Sequence, residues 1–199
     1  MKRVEIIYGG ASNEKEISYL TAKSIYEHID TDLYNPGLTD LSKFDPDNFD
    51  NETIFFIAVH GEGGEDGKIQ TLLENKKRKF TGSSSESCIL TWDKVATKRA
   101  LIANDILTPQ FKSIKNNEHF DFNDSFFAEN EHYFVKPNFN GSSYGISKVS
   151  DKKFNEALKE AKKYSTEVII EKSFNGPEYT VALLKGKPLT PLQLSLIHI

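Results

Sequence analysis

Apolar residues in this chain arrive in short blocks divided by polar, glycine-rich breaks. Val4 to Tyr8 is a strand-length block ended by Gly9-Gly10. Asn13, followed three residues later by Glu16, has the spacing of a capping box. Behind it Ile17, Leu20, Ser24, Ile25 and Ile29 trace a helical stripe. A second strand is expected over Leu33 to Leu38. Thr53 to Val59 is continuously apolar, the pattern of a strand covered on both faces. The polar run His60-Gly61-Glu62-Gly63-Gly64-Glu65-Asp66-Gly67 follows, and Ile69, Leu72 and Leu73 then mark a helix. This β-α-β-β-α order predicts a parallel-sheet α/β unit.

The rhythm changes at Trp92-Asp93. A helix is expected from Asp93 to Asn104, a break at Thr108-Pro109, and a strand from Phe111 to Ile114. Asn116 to Asn130 reads as a polar, aromatic-dotted loop. Tyr133 to Pro137 is a strand closed by proline, and Gly141 to Gly145 a flexible loop. A strand at Ile146 to Val149, a helix over Asp151 to Tyr164, a strand at Val168 to Glu171 and another at Tyr179 to Leu184 complete the series. Lys185-Gly186-Lys187 has the composition of a hairpin turn. The second region is therefore α+β with antiparallel strands. The domain division that follows is 1–92, 93–170 and 171–199.

Composition narrows the partners. A formal net charge of -4 leaves no basic surface for a phosphate backbone, and the one basic run, Lys76-Lys77-Arg78-Lys79, reads as a solvated helix end. Cys88 is alone, so no disulfide framework exists, and it reads as a small buried residue in a reducing compartment. The N-terminus lacks the apolar region of a signal peptide, and no apolar window is long enough to span a membrane. No nucleic acid, no membrane and a cytoplasmic setting are expected.

Two common nucleotide signatures are absent. Gly67-Lys68-Ile69 fails as a P-loop at both ends, and Asp66 stands where a dinucleotide fingerprint needs its third glycine. Lys136 at the end of an apolar strand, followed by Gly141, Ser142, Ser143 and Gly145, offers a fixed cation and free backbone N–H groups for phosphate. A hairpin loop with a solvated lysine fits those residues equally well. Glu171 to Glu178, with Lys172, Phe174 and Gly176-Pro177, reads either as a purine-holding linker with a ribose acceptor or as a charged interdomain linker. His60 falls at the carboxyl end of a buried parallel strand, where open α/β sheets bind ligands. Glu14, at the start of the first helix, suits either the helix dipole or a substrate ammonium group. His28, His119 and His132 read as surface residues.

Taken in order, these segments resemble the D-alanine–D-alanine ligase family of ATP-grasp enzymes. The resemblance lies in Gly9-Gly10-Ala11-Ser12-Asn13-Glu14-Lys15-Glu16-Ile17-Ser18, His60 to Gln70, Thr81-Gly82-Ser83, Asp93-Lys94 with Thr97-Lys98, and Thr108-Pro109. Val135-Lys136-Pro137 with Gly141 to Gly145, and Glu171-Lys172 with Gly176-Pro177-Glu178, complete it. Phe139 and Asn140 depart from the charge usual before the loop, and Thr71 and Trp92 replace a commonly small residue and a methionine.

The resemblance implies an N-terminal Rossmann-like preATP-grasp domain, the central ATP-grasp subdomain and the start of an incomplete C-terminal domain. It implies that two D-alanines are joined through an acyl phosphate, for peptidoglycan synthesis. Glu14, His60 and Ser142 would be the catalytic set: Glu14 on the first D-alanine's ammonium, His60 beside its carboxylate, Ser142 orienting Glu14. Lys94, Lys136 and the loop of Ser142, Ser143 and Gly145 would hold ATP phosphates. Glu171, Lys172 and Phe174 would line the adenine pocket, and Glu178 would bind ribose. The cofactors implied are ATP and Mg²⁺, and the full-length parent would be a homodimer. The family continues past this end into a domain that supplies the Mg²⁺ ligands, a transition-state arginine and a tyrosine-bearing loop. The chain is therefore expected to be a truncated, inactive piece, with Ser195 to Ile199 as a cloning or reading-frame scar. Acceptors such as D-lactate, and a non-catalytic nucleotide-binding module, remain as alternatives.

Overall fold

Strand β1 (Lys2–Tyr8) lies at the centre of a parallel sheet, between β2 (Tyr34–Asp40) and β3 (Ile54–Ile57), with β4 (Lys79–Phe80) outside β3. The computed structural model describes residues 1–118, 132–142, 144–150, 153–184 and 186–194. Side chains alternate across β1 and β3, so both faces carry apolar residues. Val4, Ile6, Ile54 and Phe56 face helix α1 (Lys15–His28), whose Ala22 and Ile25, with Ile29 just past its end, cover them. Ile7, Phe55 and Ile57 face the other way, toward Ile69 and Leu73 of α2 (Lys68–Asn75) and the aromatic cluster of Phe44, Phe49 and Phe80. The doubly covered sheet is the α/β unit read from the continuous apolar run at Ile54.

Three local readings are corrected. Asn13 caps nothing: α1 is capped at Glu14 without a side-chain bond, and Ser12 Oγ accepts from the Glu14 N–H instead. The buried face of α1 is not that of Ile17 and Leu20, which are exposed. It runs through Ser18 and Ala22, because two small residues let the helix approach the strand ends closely. The basic run is not solvated throughout. Arg78 is buried and donates to the carbonyls of Pro46, Phe49 and Asp50 and to Asn51 Oδ1, stitching the 46–51 turn to β4.

Helices α3 (Ser85–Trp92) and α4 (Lys94–Ala103) follow, and α3 has no buried residue; sequence periodicity therefore gave no signal for it. Ser84 and Asp93 cap them by accepting from Ser87 N and Ala96 N. Cys88, on α3, is only half-buried.

The second region is an antiparallel sheet in the order β5 (Phe111–Lys115), β8 (Glu167–Lys172), β6 (Tyr133–Pro137), β7 (Ser147–Val149). Helix α5 (Phe154–Ala161) packs Phe154, Ala157 and Ala161 against Ile114, Tyr133, Val135, Val149, Val168 and Ile170, all on one sheet face. The expected loop over Asn116 to Asn130 falls mostly on undescribed residues, as do His119 and the proposed start of α5 at Asp151.

The single strand expected over Tyr179 to Leu184 is two short ones. β9 (Glu178–Thr180) pairs with β12 (Leu192–Leu194), and β10 (Leu183–Leu184) with β11 (Lys187–Pro188). A Leu189 N–H to Ala182 carbonyl bond joins the two ladders into one two-stranded arm, turned at Gly186. Lys185 of the expected turn and Ser195 to Ile199 lie outside the described residues.

Candidate functional site

The strand order β2-β1-β3-β4 reverses direction between β1 and β3, and the crevice beyond their carboxyl ends is where open α/β sheets take ligands. Two loops leave that point, Gly9 to Glu14 after β1 and His60 to Gly67 after β3. Ser18 fixes the crevice: its hydroxyl accepts from Gly9 N and donates to the Ala58 carbonyl, both at 2.8 Å. Ser12 Oγ donates to the His60 carbonyl at 2.8 Å, tying the two loops together. The His60 Nε2 lies 3.0 Å from Thr21 Oγ1, and its Nδ1 lies 3.9 Å from Glu65 Oε1, so the ring is held between α1 and its own loop.

Two glycines approach the same Glu14 oxygen. A Cβ on Gly61 or on Gly141 would stand 2.9 Å from Glu14 Oε2. The loop after β6 thus reaches across to the crevice of the parallel sheet, and a side chain at either glycine would push the Glu14 carboxylate aside. Ser142, next in that loop, has a φ of +57°, and Gly145 a φ of +73°. Asn140 Nδ2 donates to the Tyr144 carbonyl, closing the turn on itself.

The face of the antiparallel sheet opposite α5 carries the charges. Strand register aligns Phe111, Glu171, Phe134 and Lys148 in one row across all four strands. Lys136, two residues along β6 from Phe134, sits diagonally beside Glu171, with Nζ to Oε2 at 3.1 Å. Its ammonium lies 5.0 Å from the Phe134 ring centroid, with Lys148 5.8 Å from the same ring. Lys94, the first residue of α4, donates to the Asn140 carbonyl at 2.8 Å and to the Asn138 carbonyl at 3.2 Å. Burial, and then the nearby Lys136 charge, hold the Lys94 ammonium below the ordinary lysine range, with Asp93 opposing them.

The chain as a whole resembles known proteins. The chain is 34% identical to the D-alanine–D-alanine ligase of Pseudomonas entomophila over 99% of its own length and 62% of the relative's. It is 34% identical to that of a Marinomonas species, covering 96% of this chain and 62% of the relative. The family model for the D-ala D-ala ligase C-terminus matches residues 102–198. The crystal structure of the Bacillus anthracis D-alanine–D-alanine ligase complexed with ATP superposes with a TM-score of 0.89 at 27% identity, over 100% of this chain and 68% of that one.

The chain is thus similar to D-alanine–D-alanine ligases over nearly its whole length. It spans about three fifths of the length of the curated relatives it matches, 62% in both cases above. The two-sheet architecture, parallel then antiparallel, is that of the ligase.

Within this family frame the sequence-derived candidates fall in three groups. Glu14 and His60 converge with Gly141-Ser142 at the crevice. Lys94, Lys136 and Glu171 converge on the charged sheet face. Lys172 ends β8, while Phe174 and Glu178 beyond it are exposed. Ser143 lies outside the described residues. Between Lys172 and Phe174, the buried Ser173 hydroxyl has no hydrogen-bond partner among the described residues, in the linker read as purine-holding.

Two residues near the site had been given no role. Asn138 is fully buried after the strand-closing proline; its side chain accepts from Val95 N and donates to Asp93 Oδ1 and Glu167 Oε2, locking α4 to the sheet. Lys98 is buried below Glu171. The Thr97-Lys98 pair was a visible motif, but nothing local distinguishes a buried helical lysine from a surface one.

Proposed function

We propose that this chain is the nucleotide-binding and first-substrate end of an ATP-dependent carboxylate–amine ligase that joins two D-alanines for peptidoglycan synthesis. The observation that carries the reading is the approach of Gly61 and Gly141 to the Glu14 carboxylate, which brings the crevice of the first sheet against the loop that follows Lys136. An acyl-phosphate route needs that juxtaposition: a bound carboxylate and a terminal phosphoryl group within one small space. The likeness to a ligase crystallised with ATP supports the nucleotide half.

In this reading the Glu14 carboxylate takes the ammonium of the first D-alanine, and His60, steadied by Thr21 and Glu65, stands beside its carboxylate. The Ser142 hydroxyl orients Glu14. Lys94 and Lys136 neutralise charge developing as the carboxylate attacks the γ-phosphoryl group, the main protein contribution to such transfers. The Ser142, Ser143 and Gly145 loop covers the phosphates with its backbone N–H groups. Glu171, Lys172 and Phe174 border adenine, with Ser173 Oγ as a further polar group there, and Glu178 meets ribose. The second D-alanine's amine then attacks the acyl phosphate and expels phosphate. Among the described residues no group of three or more His, Cys, Asp or Glu is placed to hold a metal ion; no step is therefore assigned to Mg²⁺. A cytoplasmic setting and, for the whole protein, a homodimer belong to the same reading. No described helix is long and apolar enough to cross a membrane.

Residues 1–194 fused to the remaining part of the Pseudomonas entomophila ligase should release phosphate from MgATP only when D-alanine is present. Glu14→Gln in that fusion should raise the KM for D-alanine at least tenfold while leaving ATP affinity intact. Phosphate release that ignores D-alanine, or a Glu14→Gln fusion with unchanged KM, overturns the assignment. D-lactate in place of the second D-alanine tests the alternative acceptor directly.

A further inference from the structure

The carboxylate of Glu171 lies between two lysines. Its Oε2 is 3.1 Å from Lys136 Nζ, and its Oε1 is 3.5 Å from Lys98 Nζ. The two cations are held very differently. Lys98 projects from α4 and is only 9% exposed; it donates to Thr108 Oγ1 at 2.6 Å and to the Pro109 carbonyl at 2.9 Å, and sits 5.2 Å from the Phe111 ring centroid. Two hydrogen bonds and the ion pair with Glu171 thus anchor Lys98. Lys136 is 22% exposed and opens toward Lys94, close enough to depress its proton affinity. Those two cations therefore share one anion-binding space.

This arrangement sets a problem for any phosphate that binds there. Lys136 must turn from Glu171 to the phosphate, and a carboxylate only 13% exposed cannot be left without a counter-ion. We propose that Lys98 is a positioning residue of the nucleotide site: as the fixed second counter-ion of Glu171, it releases Lys136 to the phosphates. The proposal rests on the nucleotide reading above. Lys98 touches neither substrate nor phosphate; it acts through Glu171. A role confined to tying the Thr108-Pro109 bend to β8 would weaken the fold without discriminating among nucleotides.

The readout is the preference for MgATP over adenosine, measured by equilibrium dialysis on the 199-residue chain, with thermal melting to follow folding. In Lys98→Met the preference should fall roughly tenfold, the scale of one close charge coupling. Lys98→Arg should keep it. Adding Glu171→Gln to Lys98→Met should restore it, because a neutral amide no longer holds Lys136. Glu171→Gln alone should raise the preference, which keeps the idea testable if Lys98→Met unfolds. ATP and adenosine affinities that fall together in Lys98→Met, or a Glu171→Gln preference that stays flat, overturn the Lys98 role while leaving the nucleotide site standing. An unmodified chain that binds neither ligand overturns the nucleotide reading itself, and this inference with it.

Discussion

Arg78 belongs to the run Lys76-Lys77-Arg78-Lys79, yet its guanidinium is buried among three carbonyls and an asparagine while its neighbours face solvent. Arg78→Met should cost about 3 kcal/mol in urea unfolding, since it strips partners from buried carbonyls. Gly64 is constrained differently: a Cβ there would lie 2.2 Å from the Val59 carbonyl oxygen, which is backbone and cannot step aside. Gly64→Ala should destabilise by roughly 2 kcal/mol and displace the His60–Gly67 loop, visible as weakened D-alanine binding in the fusion described above. Lys94 carries a pH dependence. Its folded proton affinity is lowered chiefly by burial, so the unfolded chain binds more protons between the folded and unfolded values. Stability therefore rises with pH through that alkaline window, and Lys94→Met should reduce the rise in unfolding titrations, leaving the part due to Lys98, which burial also lowers. ATP affinity should move the opposite way, weakening over the same window, because the phosphate needs the charged ammonium.

At the scale of elements, the joints between helices and sheets rest on buried polar residues more than on apolar stripes. Asn138 couples α4 to β6 and β8 through Val95 N, Asp93 and Glu167. Asn138→Ala should cost about 2 kcal/mol by differential scanning calorimetry and lower ATP affinity, because Lys94 starts the same helix. Wild-type melting and binding in that variant would show that α4 is held some other way. Strands with continuous or alternating apolar residues were legible in the sequence: β1, β3, β5, β6 and β8 all lie where the pattern put them. Helix α3 was not, since it buries nothing, and the working face of α1 was misread because Ser18 and Ala22, not Ile17 and Leu20, meet the sheet.

For the whole molecule, the arm from Glu178 to Leu194 differs from everything before it. Each described residue in it is exposed, including Tyr179, Leu183, Leu184, Leu192 and Leu194, and among the described residues its strands pair only within the arm. A two-stranded ribbon with that much apolar surface is marginal in water. The chain should light up a hydrophobic dye, and Leu183→Ser with Leu184→Ser should dim it while leaving the melting of the two larger sheets unchanged. A dark unmodified sample would mean that the arm is covered in solution. By itself the sequence determined the two-region order, the positions of β1, β3, β5, β6 and β8 and the ordered motifs that resemble the ligase family, because periodicity and glycine placement are local properties of the chain. Only the tertiary structure brought Gly141 against Glu14, set Lys98 and Lys136 on one carboxylate and buried Arg78. Those contacts join residues far apart in sequence, and burial, which sets what a charge does, is a property of the packed molecule alone.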